Sequence, residues 1–533
     1  MKNKKNAVWD NHIFKGIVLP LIIIGAATVL FAAAYVLMSK NIYYWSTAES
    51  WNIAIKIAQG AYSPNLLKEV YISILSLDVN YLCSLPSALF IKLFGESRLV
   101  YILSLVICYV IPSYICIFFL ARKIGKSPVV TLVLTLMFLP SIMYMALMGF
   151  AEIGGILPGI ICMYLYLGNT NKGIRPLRYI VIGFLLTLMI LWSNIYIFFA
   201  AAFVTAMLSD SIISRKQIIS PIISLCCVVA IISIFFRSYI TTRIINLYGN
   251  ISVDLSIGTN LKFFFRYFGL IFILGIAAHS IWIALKENSD GILFLWMHTV
   301  LCFIMLMTTR MHGQLHILLY IPSFAALCVI CIKHINNFRL LIITAILALV
   351  QFVSVFIPRT QPASVDSIKG YAPFSSFSLS PKSRSSATDI LTLKNTLDNI
   401  VKDGEYLGVL AYSDIMNPDL LNNAQISLNA SSAKRNYVAF TIPYFDSDTT
   451  DIAPLCNADY MLVGTPLQTN SDNQKILSCA VDSFINWTDI ARSYVEMYEY
   501  KTFIDGVEFK LFKRTRNATD FEKREFILKL RNN

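Results

Sequence analysis

The chain has 533 residues, 56% of them hydrophobic and 14% charged, with a formal net charge of +13. A soluble globular protein carries about 25% charged residues, so this composition excludes a water-soluble globule and calls for extensive lipid-facing surface. The basic excess is local: up to Ile357 there are 25 Lys and Arg against 10 Asp and Glu, and from Pro358 onward 19 against 21. That distribution fits the positive-inside pattern of a membrane protein and argues against nucleic acid as a partner.

In chain order, Lys2, Lys4 and Lys5 precede an apolar run from Ile17 to Leu37. The run is too long for a signal-peptide core and long enough to span a bilayer, which predicts an uncleaved first transmembrane helix over 16–38. Further apolar runs predict spans near 99–120, 128–148, 153–168, 178–192, 194–209, 218–236, 268–285, 291–308, 315–332 and 339–357, about eleven in all. The stretch from Tyr179 to Leu208 is broken only by Trp192, Ser193 and Asn194. Reading it as two helices places Arg215 and Lys216 with the other basic short loops, so the positive-inside rule selects two. The N-terminus is then cytoplasmic and the C-terminal part lies outside.

After Ile357 the apolar runs stop. Residues 358–382, rich in Ser, Pro and Gly, read as a linker. Residues 383–533 read as one small α/β domain on the extracytoplasmic side, with strands at Tyr406–Ala411 and Tyr460–Val463. A hairpin over Phe503–Phe512 is closed by Asp505-Gly506. Nine of the 11 cysteines lie in or beside hydrophobic runs, where Cys is a small buried hydrophobe. Cys456 and Cys479 stand alone in the tail, as a disulfide pair if it is exported or as two buried thiols.

The loop Ser39–Arg98 is long but not polar. Tyr44, Ala48, Trp51, Ile55 and Ala58 share one helical face, and Glu49, Asn52, Lys56 and Gln59 another, which predicts an amphipathic helix at the membrane interface. A second apolar piece, Tyr81–Phe94, is too short to span. Acidic residues at a membrane surface are costly unless solvated or used. Among the outward ones, Glu49 falls about three helical turns past Met38, within reach of a substrate whose lipid tail lies in the bilayer.

The succession Glu49-Ser50-Trp51, Ala58-Gln59-Gly60, Asp78 to Tyr81, Pro86, Ile91 to Gly95, Arg98 and Leu120 to Gly125 resembles the N-terminal half of GT-C fold glycosyltransferases. The break at Trp192–Asn194 and Arg310, followed by Tyr320 and Pro322, are similar too. The resemblance runs from Phe14 to Ile357. With a membrane body and a modest exported C-terminal domain, the chain looks most like the phage-type, serotype-converting O-antigen glucosyltransferases. The first acidic site holds one acid, Glu49, where the family often has two, and the Pro expected soon after Asp78 is displaced to Pro86; both departures weaken a metal-dependent reading.

The resemblance implies a GT-C-like α-helical polytopic membrane protein over 1–357, with a C-terminal α/β periplasmic domain, in the bacterial inner membrane. It implies transfer of a sugar from a polyprenyl monophosphate carrier to a glycan or lipid-linked acceptor; the two departures disfavour a metal cofactor. Glu49 matches the position of the catalytic base; its alternative is the solvated face of an interfacial helix. Asp78 is a second base or acceptor ligand, or else a helix cap. Glu152 binds sugar hydroxyls, or serves as a charge at a helix start. Arg310 offers a fork of donors to the carrier phosphate, flanked by His312 and His316, or else anchors the interface. Arg266 belongs to a basic outer loop that gathers lipid phosphate or contacts headgroups. Trp51 stacks on sugar or anchors at the interface. An O-antigen polymerase or ligase and a lipid-linked sugar flippase are the rival readings.

Overall fold

In the computed structural model the described residues are 14–60, 64–76, 81–124, 127–167, 176–213, 218–239, 257–286, 291–308, 313–356, 372–376, 386–428, 438–441, 452–469 and 475–532. They form two compact units. The first comprises Met1–Leu37, Glu49–Ile357 and Lys369–Pro381, and the second Met38–Ala48, Pro358–Ile368 and Lys382–Asn533.

The first unit is helical. α1 (Leu19–Met38) is followed by α2 (Trp45–Ala58), α3 (Leu66–Ser76) and α4 (Leu85–Phe94). α5 runs over Arg98–Ile124, started by the Ser97 hydroxyl, which accepts the Val100 N–H at 3.2 Å. α6 (Pro128–Phe138) and α7 (Ser141–Leu147) meet at a 60° bend. Pro140 causes it: the residue before a proline is pushed out of the helical region, and Leu139 sits at φ −115°, ψ 60°. α8 (Ile156–Tyr166), α9 (Pro176–Trp192), α10 (Tyr196–Ile213) and α11 (Ile219–Phe235) follow. The break between α9 and α10 falls at the polar residues that the sequence marks. α12 (Ile257–Phe268) and α13 (Leu270–Lys286) are bent by 88°. α14 (Ile292–Met307), α15 (Ile321–Lys333) and α16 (Phe338–Phe356) complete the unit.

An apolar helical segment stands at each of the expected spans, yet length narrows the count. Among the described residues four helices are long and apolar enough to cross a membrane, Gly16–Met38, Arg98–Ile124, Tyr196–Ile213 and Phe338–Phe356, or six if each bent pair is one span. These helices make the chain a multi-pass membrane protein.

Part of the expected linker is built into this unit. The bend at Gly269 leaves the first N–H groups of α13 and the last carbonyls of α12 without helical partners. Residues 372–376 supply them: Leu270 and Ile271 donate to the Ala372 and Pro373 carbonyls, each at 3.0 Å, and Ser376 N–H donates to the Arg266 carbonyl at 2.9 Å. Gln351 completes the patch, donating to the Phe268 carbonyl at 2.6 Å and accepting from Ser375 N–H at 3.0 Å. The linker reading of 358–382 is therefore corrected at these five residues.

The second unit carries a five-stranded sheet of order β2-β1-β3-β5-β4. α17 (Ala387–Ile400) leads into β1 (Tyr406–Leu410), α18 (Pro418–Ser427), β2 (Val438–Thr441), α19 (Ala453–Asn457), β3 (Tyr460–Thr465), α20 (Lys475–Asn486), β4 (Tyr494–Ile504), β5 (Val507–Arg514) and α21 (Asp520–Asn532). β1 pairs in parallel with β2 and β3, and β5 pairs antiparallel with β3 and β4. The hairpin turns on Asp505 (φ 47°) and Gly506 (φ 82°), the two left-handed residues that an Asp-Gly turn provides. Cys456 and Cys479 are buried in one core with Phe484, Tyr494 and Phe512.

Residues 38–48 fold with this unit, which corrects the expected division at 357. Asp419, Asn423 and Ser427 lie on one face of α18 and bind the backbone of residues 43–45. Asp419 accepts the Trp45 N–H at 2.8 Å, Asn423 donates to the Tyr43 carbonyl at 3.2 Å, and the Ser427 hydroxyl accepts the Tyr43 N–H at 3.5 Å.

At the start of α21, Thr519 and Glu522 form a capping box: Glu522 N–H donates to the Thr519 hydroxyl at 3.3 Å, and Thr519 N–H to the Glu522 carboxylate at 2.8 Å. The Arg516 guanidinium binds both carboxylate oxygens, at 2.8 and 2.5 Å, and holds the Glu522 carboxyl down at about 2. A depressed carboxyl contributes stability that is present above its unfolded value, about 4.3, and lost as pH falls through the folded value. Peptic cleavage within α21 of the full chain is expected to rise as pH falls from about 4 to about 2. Glu522→Gln makes that cleavage less dependent on pH across the same window.

Candidate active site

The site gathers around a turn between α7 and α8. Residues Ala151–Gly155 form a short 3-10 helix there, outside the spanning helices, and Glu152 is 4% exposed within it. Three aromatic donors from three helices fix this turn by its carbonyls. Tyr101 of α5 donates to Gly149 at 2.8 Å, Trp192 of α9 to Ala151 at 3.3 Å, and Tyr196 of α10 to Glu152 at 2.9 Å. Two glycines let the rings approach: a Cβ on Gly154 would lie 2.4 Å from Trp192, and one on Gly155 2.2 Å from Tyr196. A polar turn in an apolar body is thereby held by side chains that lie far apart in the sequence.

Glu152 Oε2 is buried and has no hydrogen-bond partner among the described residues. A buried carboxylate oxygen in that state is costly and calls for a partner, such as a substrate hydroxyl, an ordered water or an ion. Burial, and after it the nearby Glu49 carboxylate, push the Glu152 carboxyl up to about 7. Both carboxylates also raise Cys83, although burial is the larger cause. The Glu49 charge thus acts on Glu152, and on Cys83 in the 3-10 turn Tyr81–Ser84.

Glu49 and Lys56 are exposed on α2, as is Gln59 just past its end, whereas Ala48, Trp51 and Ile55 are buried. The helix thus presents the two faces that its sequence spacing defines. Ser84 anchors it by donating to the Ser50 carbonyl at 3.0 Å. Trp51 is fully buried, and its ring stacks on Tyr101 with centroids 5.8 Å apart. Sequence spacing places Trp51 on the apolar face but carries no signal for that partner.

Asp78, Arg310 and His312 lie outside the described residues. His316 lies in the 3-10 helix Gln314–Leu319, where its Nδ1 accepts the Gly313 N–H at 2.8 Å. Arg266 lies in the last turn of α12 beside the Gly269 bend. Among the described residues no group of three metal-ligating side chains forms. Sequence reasoning did not foresee Tyr101, Tyr196, Gly154 and Gly155 as supports of the Glu152 turn; the only local sign was the cluster of small residues after Glu152.

No family model matches the chain, and no curated protein does. Among solved structures it is similar to ArnT from Cupriavidus metallidurans in the apo state, with a TM-score of 0.57 and 11% identity over 92% of this chain and 97% of that one. It is similar also to ArnT from the same organism bound to undecaprenyl phosphate, with a TM-score of 0.53 and 9% identity over the same shares. Archaeal oligosaccharyltransferase AglB from Archaeoglobus fulgidus, in complex with an inhibitory peptide and a dolichol-phosphate, gives a TM-score of 0.42 at 11% identity, over 84% of this chain and 69% of that one. The likeness in fold to ArnT extends over nearly the whole length of both chains.

Proposed function

We propose that this chain is a membrane glycosyltransferase of GT-C type that moves a sugar from a polyprenyl monophosphate carrier to an acceptor hydroxyl. Glucose is the sugar, undecaprenyl phosphate the carrier, and a cell-surface glycan such as O-antigen the acceptor. The reaction takes place at the outer face of the bacterial inner membrane, with the C-terminal domain periplasmic. Likeness in fold to ArnT, one of whose structures is bound to undecaprenyl phosphate, supports the carrier class. The observation that carries the reading is the pair of carboxylates, one exposed on an amphipathic helix and one buried with an unpaired oxygen in a turn held by three aromatic donors.

In this reading Glu49 takes the proton of the acceptor hydroxyl as its oxygen attacks the anomeric carbon. The bond from that carbon to the carrier phosphate oxygen breaks, the phosphate leaves with the electron pair, and the configuration inverts. The unpaired Glu152 oxygen accepts a hydrogen bond from a sugar hydroxyl. Arg310 stabilises the departing phosphate, with Arg266, His312 and His316 contributing to carrier binding. Asp78 binds the acceptor sugar, and no metal is required.

The test uses detergent-solubilised full-length protein, radiolabelled undecaprenyl-phosphate sugars and cell-surface polysaccharide, with and without EDTA. Label is expected to move to the polymer from the glucose donor and to do so in EDTA. Label that stays on the carrier across a panel of sugars and acceptors overturns the reading in favour of a flippase or of a ligase using another donor.

A further inference from the structure

Trp45, the first residue of α2, has φ +53°, a left-handed conformation that is strained for a bulky side chain. Such a conformation persists only where its surroundings over-determine it. Here they do. The Trp45 N–H, one of the four that a helix start leaves without a helical partner, donates to the Asp419 carboxylate at 2.8 Å. The Trp45 ring packs on Tyr412 and Tyr44, with centroids 5.8 and 4.9 Å away. The Tyr44 hydroxyl donates to Asp414 at 3.3 Å, and Asn423 and Ser427 hold Tyr43 on both sides of its peptide. Asn423 and Ser427 are 1% and 2% exposed, so this polar stripe on α18 is committed to the strand entering α2.

The clamp lies wholly within the second unit. The helix that it starts leaves that unit after Ala48 and bears Glu49 next, one turn beyond Trp45. We infer that Asp419 is a positioning residue: it fixes the first turn of α2, the helix on which Glu49 stands one turn further on. The inference rests on the reading of Glu49 as the base.

Two readouts on full-length protein test it. In hydrogen exchange, Asp419→Ala is expected to speed the amides at the start of α2 while leaving β1 and β3 protected. Asp419→Asn, which keeps an acceptor oxygen, is expected to stay close to wild type. In transfer from undecaprenyl phosphoglucose to O-antigen, Asp419→Ala is expected to lower kcat by about tenfold or more with the donor KM unchanged, because small displacements of a reacting group cost that much. Asp419→Asn restores most of the rate. Unchanged exchange in Asp419→Ala, or exchange that rises equally in β1 and β3, overturns the clamp. Faster exchange with normal transfer overturns the positioning role while the reading of Glu49 stands. Glu49→Gln separates the two ideas, since it is expected to leave exchange unchanged and to abolish transfer. Normal transfer by Glu49→Gln removes the base itself and the positioning role with it.

Discussion

Glu49→Gln is expected to lower kcat for sugar transfer by roughly 10²- to 10⁴-fold, the range typical of removing a positioned general base. The substitution keeps the shape of the side chain and its ability to accept a hydrogen bond, but it removes the group that takes the proton. Glu49 is exposed on α2 while the apolar face of that helix is buried, so melting temperature and expression should hardly change. A second consequence concerns Glu152. The Glu49 charge is one of the causes that raise the Glu152 carboxyl, after burial, so its removal should lower that carboxyl from about 7. A pH profile of any residual activity reads this shift. Transfer at the wild-type rate by Glu49→Gln would rule out Glu49 as the base and move attention to Asp78.

Gly155→Ala is expected to have an effect of similar size on activity and a larger one on folding. The added Cβ would lie 2.2 Å from Tyr196 Cε2 and 2.4 Å from Cζ, far inside contact distance. Tyr196 cannot swing away cheaply, because it is fully buried and its hydroxyl is tied to the Glu152 carbonyl at 2.9 Å. Overpacking of a tight core costs about 1–3 kcal/mol or more, and here relief requires moving the turn that holds Glu152. The variant should therefore melt lower and lose transfer together. Gly275→Ala is the control: it lies within α13, nothing stands within 4 Å of its Cβ, and alanine favours a helix interior over glycine by about 1 kcal/mol. If Gly155→Ala melts and transfers as wild type, the turn is looser than its hydrogen bonds indicate and Glu152 is not held for a purpose.

Much of this architecture is written locally. The apolar runs, the polar break after Trp192 and the alternation of faces along Trp45–Ala58 are periodic signals, and they emerge as helices with the ends and faces that the residues define. Asp505-Gly506 closes its hairpin because both residues tolerate left-handed backbone. Glu49 was legible as a candidate by its match to the acidic position of the GT-C resemblance, while spacing placed it only on the polar face of its helix. Trp51 was legible as part of the apolar face, but its ring lies flat on Tyr101 inside the core, a partner that no period encodes.

What the sequence by itself determined is the succession of helices and strands and the residue types offered at each face, since hydrophobic period and turn chemistry act over a few neighbouring residues. Only the tertiary structure decided which polar groups meet. It tied the Glu152 turn to Tyr101, Trp192 and Tyr196, tied residues 372–376 to the helix ends exposed at Gly269, and gave residues 43–45 to α18 of the C-terminal unit. The last two pairings satisfy backbone donors and acceptors one hydrogen bond at a time. One hydrogen-bonding group has no periodicity, and its partner is chosen by the packing of elements that lie far apart along the chain.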